Sequence, residues 1–267
     1  MSALLEVRDV VKHYGGIAAV NRATLDVEEG SITGLIGPNG AGKTTLFHIV
    51  SGFRKPEQGT VRFGGVEISG RSPDRVARAG LVRTFQHTKA LTRMSVLDNM
   101  MLAAPEQPGE RLSNVFLRPR RARRRERDVE VKAREVLAVV RLERHVDEYA
   151  GTLSGGQRKL LEFGRALMAE PRMVMLDEPM AGVNPTLGHE LLDRVQELRA
   201  ARGMTFLLIE HDLEVVMAVS DLIHVMSNGA VIASGPPAAV RASPDVIDAY
   251  LGKYGEPAAP AAPEEAS

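Results

Sequence analysis

One short loop constrains this chain more than any other feature. Residues 37–44 read GPNGAGKT and match the spacing G-x-x-x-x-G-K-[ST]. The apolar run SITGLI precedes the loop and KTTLFHIVSG follows it, so the expected order is buried strand, glycine loop, helix closed by Gly52. Glycines let backbone N–H groups turn inward around phosphate oxygens, and the helix that follows presents its positive end. The cradle is assigned to Gly37, Pro38, Asn39, Gly40, Ala41, Gly42, Lys43, Thr44 and Thr45. Lys43 is expected to reach the β/γ-phosphates and the Thr44 hydroxyl to ligate Mg²⁺. No Asn-Lys-x-Asp element for reading guanine is present, which lowers the standing of a GTPase.

The rest of the chain is consistent with a sheet built around that loop. ALLEVRDVVKHY and ATLDVEEGSITGLIG read as β-rich, GTVRFGGVEI as a hairpin, and residues 95–104 as a helix with Ser95-x-x-Asp98 at its start. Val129, Ala133, Val136, Leu137 and Val140 mark a helix over residues 120–142. PEQPGERLSNVF between these helices reads as a loop. The second half alternates: a helix from Gly155, strand RMVMLD, a helix after Pro185, strand TFLLIE, helix LEVVMAV, strand LIHVM, and an Asn228-Gly229 turn into AVIAS. Such alternation implies a mainly parallel sheet covered by helices. Residues 254–267 are Pro/Ala-rich and are expected to be disordered.

Composition excludes several classes. Basic and acidic residues balance at 34 each, which argues against bulk attraction to nucleic acid. There is no cysteine, so disulfides and thiolate metal sites are ruled out and a reducing compartment fits. The first ten residues lack the apolar stretch of a signal peptide, and MVML and TFLLI are far too short to span a bilayer. The reading is of a soluble polypeptide whose membrane role, if any, comes through a partner.

Three further positions carry chemistry. MVMLDEP sets Asp177 and Glu178 at the end of an apolar strand, where ligands of parallel sheets bind. Asp177 can hold Mg²⁺, and Glu178 can orient or deprotonate a water attacking the γ-phosphate. His211 leaves the strand TFLLIE at the same edge, and Gln86 leaves LVRTF; its amide could reach both Mg²⁺ and that water. LSGGQ contains Ser154-Gly155-Gly156-Gln157, a capping box that begins a helix on two glycines. A glycine costs about 1 kcal/mol against alanine inside a helix. A second anion site, turned outward to a nucleotide held by another subunit, would compensate for that cost.

In order and in residues the chain resembles the ATP-binding cassette of ABC transporters, from about Leu4 to Leu251. GPNGAGKT resembles Walker A, Gln86 the Q-loop, LSGGQ the signature, MVMLDE Walker B, AGVN at residues 181–184 the D-loop, and His211 the switch histidine. The resemblance implies an α/β fold: a P-loop NTPase cassette with a mainly parallel core sheet, an antiparallel β subdomain and a helical subdomain at about residues 88–165, the cassette ending near residue 253. It implies a head-to-tail dimer binding two ATP with Mg²⁺. Adenine would stack on Tyr14. Mg²⁺ would be held by Thr44, Gln86 and Asp177, and catalysis would involve Glu178, His211, Gln86 and Lys43. RTFQHTKALTRMSVLDNM, AGVN with Asn184, LIEHDLEVVMAVSDLIHVM and PDVIDAYLG resemble the ATPase subunit of branched-chain amino-acid uptake systems. The implied partners are transmembrane permeases, a second cassette subunit (identical or related) and, indirectly, a periplasmic solute-binding protein, with no nucleic acid. The implied location is the inner face of the cell membrane. Urea and amide importers share much of this pattern, so the solute stays open. A soluble cassette acting on DNA or the ribosome lacks support, because this chain has neither a long coiled-coil insert nor a second cassette. A P-loop kinase would leave LSGGQ unexplained. RPRRARRRER, residues 118–127, reads as a solvated helical face ahead of a lipid-headgroup contact.

Overall fold

The computed structural model describes residues 3–84, 90–105 and 119–251. Gln86, Arg118, the loop residues 106–118 and the tail from residue 252 lie outside the described residues.

A six-stranded sheet forms the centre, in the order β10-β9-β3-β8-β7-β6. Its parallel members are β3 (Ile32–Ile36), β6 (Leu81–Arg83), β7 (Met173–Asp177), β8 (Thr205–Ile209) and β9 (Leu222–Ser227). β10 (Ala230–Gly235) pairs antiparallel to β9 through the Asn228-Gly229 turn, where both residues have positive φ. Every residue of β3, β7 and β8 is buried, which is why they read as unbroken apolar runs rather than alternating ones. Their side chains divide with period two. Leu35, Met173, Met175, Leu207 and Ile209 face one core; Ile32, Ile36, Val174, Leu176, Phe206 and Leu208 face the other.

The first core lies under a four-stranded antiparallel sheet, β2-β1-β4-β5, made by β1 (Ala3–Tyr14), β2 (Ile17–Glu28), β4 (Gln58–Phe63) and β5 (Val66–Glu67). Gly64 and Gly65, both at positive φ, close the β4–β5 hairpin as GTVRFGGVEI predicts. Helix α1 (Lys43–Val50) runs into this core on Leu46, Phe47, Ile49 and Val50, and Gly52 beyond its end adopts φ 81°. The short α2 (Pro73–Arg78) also contributes Val76 there.

The second core is helical. α3 (Val96–Leu102), capped by Ser95 accepting from the Asp98 amide, packs with α4 (Pro119–Val139) and α5 (Gly155–Met168). α6 (Pro185–Arg202), α7 (Leu213–Val219), α8 (Pro237–Arg241) and α9 (Pro244–Leu251) complete the α-helices of the described residues. The predicted positions Val129, Ala133, Val136, Leu137 and Val140 are all buried. α4 stops at Val139, three residues short of the expected end. Arg141 turns to φ 56°, and the Leu142 amide bonds back to Leu137 O at 2.8 Å, a left-handed closure made without glycine and so invisible to a search for one. β2 begins at Ile17, six residues before the predicted ATLDVEE, because IAAVNR pairs along β1. α2 and α8, six and five residues long, are too short to show a period. The α/β architecture expected from the sequence is the one found.

Candidate nucleotide site

The glycine loop occupies the carboxyl end of β3. Gly37 and Gly42 have φ 149° and 98°, and a Cβ at either would lie 2.1 Å from Met226 O or 2.2 Å from Ala19 O. These two glycines let β9 and β2 close on the loop. Gly40, at φ 77°, meets nothing within 4 Å and faces open space. Asn39 and Thr44 are exposed, Pro38 and Thr45 half-buried, and Ala41 is buried with its amide bonded to Pro38 O. No side chain caps α1, and its first intrahelical bond is Leu46 N–H to Gly42 O at 2.9 Å. The amides of Lys43, Thr44 and Thr45 thus precede the helical ladder, the arrangement an anionic phosphate needs. Lys43, only 5% exposed, donates from Nζ to Gly37 O at 2.6 Å and Pro38 O at 3.1 Å. A Thr44 hydroxyl, one carboxylate from Asp177 and nucleotide phosphates are the oxygen set that suits Mg²⁺.

Parallel pairing aligns the neighbouring strand ends. Leu35 of β3 and Asp177 of β7 both stand opposite Ile209 of β8. Asp177 is buried, and its Oδ2 accepts from Arg83 Nη2 at 2.6 Å, with both side chains almost wholly out of solvent. Phe47 and Phe53 flank the guanidinium, which also reaches Ser51 Oγ at 3.3 Å. Glu178 takes φ 48°, unusual for a residue with a Cβ and costing on the order of 1 kcal/mol. Its amide donates to Ile209 O at 3.0 Å, and its Oε1 lies 2.5 Å from His211 Nε2. Glu210, between these loops, is buried; its carboxylate accepts from the Met180 amide at 2.7 Å and the His211 amide at 3.2 Å. Burial holds its pKa above the ordinary carboxylate value against the lowering effect of those two amides.

Tyr14 ends β1, is 45% exposed and carries Lys12 Nζ 5.8 Å from its ring centroid. It pairs with Ile17, and the returning strand brings Ala19 O against Gly42. The hairpin therefore borders the glycine loop.

Ser154, Gly155, Gly156 and Gln157 sit elsewhere, at the start of α5, which packs on α3, α4 and α6. The capping box is complete: Ser154 Oγ accepts from the Gln157 amide at 3.2 Å and Gln157 Oε1 from the Ser154 amide at 2.9 Å. Gln157 Nε2 also contacts His145 Nε2 at 3.1 Å. Gly156 has a packing reason within the chain, since a Cβ there would fall 2.5 Å from Leu187 Cδ1. Gly155 is exposed, and a Cβ there would make only an ordinary contact, 3.7 Å from Gly182 O. One glycine of the pair is explained by packing and the other is not. One turn on, Lys159 Nζ donates to Glu178 O at 3.3 Å, a second contact of α5 with the loop after β7. Asn184 caps α6 by accepting from the Thr186 amide at 2.9 Å.

The segment of residues 20–181 matches the family model described as ABC transporter, and residues 230–256 match that described as branched-chain amino acid ATP-binding cassette transporter. The chain belongs to the ABC transporter ATP-binding cassette family. The cassette is 42% identical to a probable branched-chain amino acid transport ATP-binding protein LivG of Archaeoglobus fulgidus, over 93% of this chain and 95% of that one. It is also 42% identical to the high-affinity branched-chain amino acid transport ATP-binding protein BraF of Pseudomonas aeruginosa, over 94% and 98%. A nucleotide-free ATP-binding cassette from an ABC transporter superposes with a TM-score of 0.80 at 39% identity, covering 93% of this chain and 99% of that one. A cassette in its ADP conformation superposes with a TM-score of 0.80 at 36% identity, covering 94% and 100%. The cassette is thus a nucleotide-binding ATPase of the ABC type. Among its described residues no helix is long and apolar enough to cross a membrane.

Sequence reasoning missed Arg83, Lys159 and Glu210. Of these only Glu210 carried a signal, a charge directly after the apolar run TFLLI.

Proposed function

We propose that the cassette is the motor subunit of an importer for branched-chain amino acids, working as a head-to-tail pair with an identical or related cassette. The solute class named for the relatives near 40% identity and the match over residues 230–256 support this reading. The mechanism rests most on the convergence of Lys43, Asp177, Glu178 and His211 at adjacent strand ends, while Ser154 and Gly155 stand exposed on another element.

Adenine stacks on Tyr14, and the amides of residues 37–45 hold the phosphates. Lys43 exchanges its two loop carbonyls for β/γ-phosphate oxygens. Thr44, Asp177 and Gln86 would hold Mg²⁺, which supplies charge neutralisation at the phosphates when bound. Ser154, Gly155, Gly156 and Gln157 of the second copy close over the γ-phosphate. Glu178 then orients the attacking water and accepts its proton as the bond to the leaving ADP breaks. His211, paired with Glu178, and Lys43 stabilise the charge that develops. Closure and opening pass to the permeases through residues 86–101, on the inner face of the membrane. A periplasmic binding protein delivers solute on the other side.

Glu178→Gln tests this assignment. Turnover should fall about a hundredfold or more, with ATP binding retained. Near-normal hydrolysis would remove Glu178 from the role.

A further inference from the structure

Glu210 follows the apolar run of β8 and is 4% exposed. Burying a carboxylate is costly unless it is hydrogen-bonded, and an apolar residue would fill the place at lower cost. What the carboxylate does is divide its two oxygens between two loops. Oε1 takes the amide of Met180, which leads into residues 181–184; Oε2 takes the amide of His211. His211 Nε2 reaches Glu178 Oε1, and the Glu178 amide donates to Ile209 O, so the contacts close a ring through Glu178, Met180, Glu210 and His211. Ala181, Gly182 and Asn184, just beyond Met180, are exposed.

We propose that Glu210 is a positioning residue that ties the exposed segment of residues 181–184 to the Glu178–His211 pair, so that contact with the second copy sets the hydrolytic geometry. This deepens the functional reading above and rests on it. Glu210 acts through the backbone amides of both loops. It is remote in sequence from the glycine loop, so its loss should affect turnover and spare binding.

The experiment compares the full chain with Glu210→Ala, Glu210→Gln and Glu178→Gln. ATP turnover, affinity for a fluorescent ATP analogue and thermal midpoint are measured for each. Glu210→Ala should lower kcat about tenfold or more while the analogue's Kd stays within about twofold. Glu210→Gln should fall between it and the wild type, because the amide oxygen still accepts from Met180 while its NH₂ cannot accept from His211. Should the alanine variant not fold, the glutamine variant decides by the same split between kcat and Kd. Wild-type kcat in a folded Glu210 variant overturns the proposal, as does a loss of kcat that only follows a loss of binding and stability. Inactive Glu178→Gln beside fully active Glu210→Ala would refute this inference alone. Active Glu178→Gln would refute the reading of the site and this inference with it.

Discussion

An alanine at position 156 would set its Cβ 2.5 Å from Leu187 Cδ1 and 2.8 Å from Leu187 Cβ. The second of these atoms cannot swing away, so α5 or α6 must shift. Gly156→Ala should therefore destabilise the fold by about 1–3 kcal/mol. Gly155→Ala meets only Gly182 O at 3.7 Å and gains helix propensity. It should leave the urea midpoint unchanged or raised, yet reduce ATP turnover if that face closes on a partner's nucleotide. Equal losses of stability in the two variants would show that both glycines serve packing alone. The sequence shows the pair and its helix start plainly. Which glycine packs and which faces out depends on Leu187, a contact that only the tertiary arrangement creates.

At the scale of elements, the ion pair between β6 and β7 and a histidine between the two sheets carry separate expectations. Arg83→Met leaves the Asp177 carboxylate buried with its cation removed, and should cost about 3–5 kcal/mol in urea unfolding. Arg83→Met combined with Asp177→Leu should recover much of that loss; a single variant within about 0.5 kcal/mol of wild type would show the pair to be idle. His224 on β9 is buried, with Nε2–H donating to Asp26 O of β2 at 2.8 Å and Nδ1 accepting from Ser234 Oγ at 2.7 Å. Burial, the largest influence, holds its pKa below the ordinary 6.5. Below that value the unfolded chain binds a proton that the folded chain refuses, so stability falls as pH drops through 6.5 towards the folded pKa. Melting between about pH 7.5 and 5.5 should show a steeper acid-side loss in wild type than in His224→Gln. Differencing the two cancels other groups, including Glu210, whose raised pKa acts in the opposite direction. Long apolar strands and the spaced core of α4 are legible in the sequence because burial on one or both faces imposes a period. Arg83 and His224 are not, because a charge or an imidazole inside a strand is stabilised by partners far along the chain.

For the whole molecule, order along the chain was informative where spatial adjacency was not. Five parallel strands bring residues 37–44, 177–178 and 211 to one edge, and the strand–helix alternation predicts that convergence. It does not predict that Lys43 rests on its own loop carbonyls or that Asp177 rests on Arg83; both are local solutions to burying a charge. Ser154 and Gly155 start a separate helix, and under the proposed mechanism their part in hydrolysis requires a second copy. The chain has no cysteine, so an introduced pair reports without background. Asn39→Cys and Ser154→Cys, combined in the Glu178→Gln chain and oxidised with ATP and Mg²⁺, should give a disulfide-linked dimer on a non-reducing gel. Without nucleotide, and in each single-cysteine chain, that band should be absent. A folded, ATP-binding double-cysteine chain that stays monomeric under oxidation with ATP, or links equally well without it, would contradict the shared site.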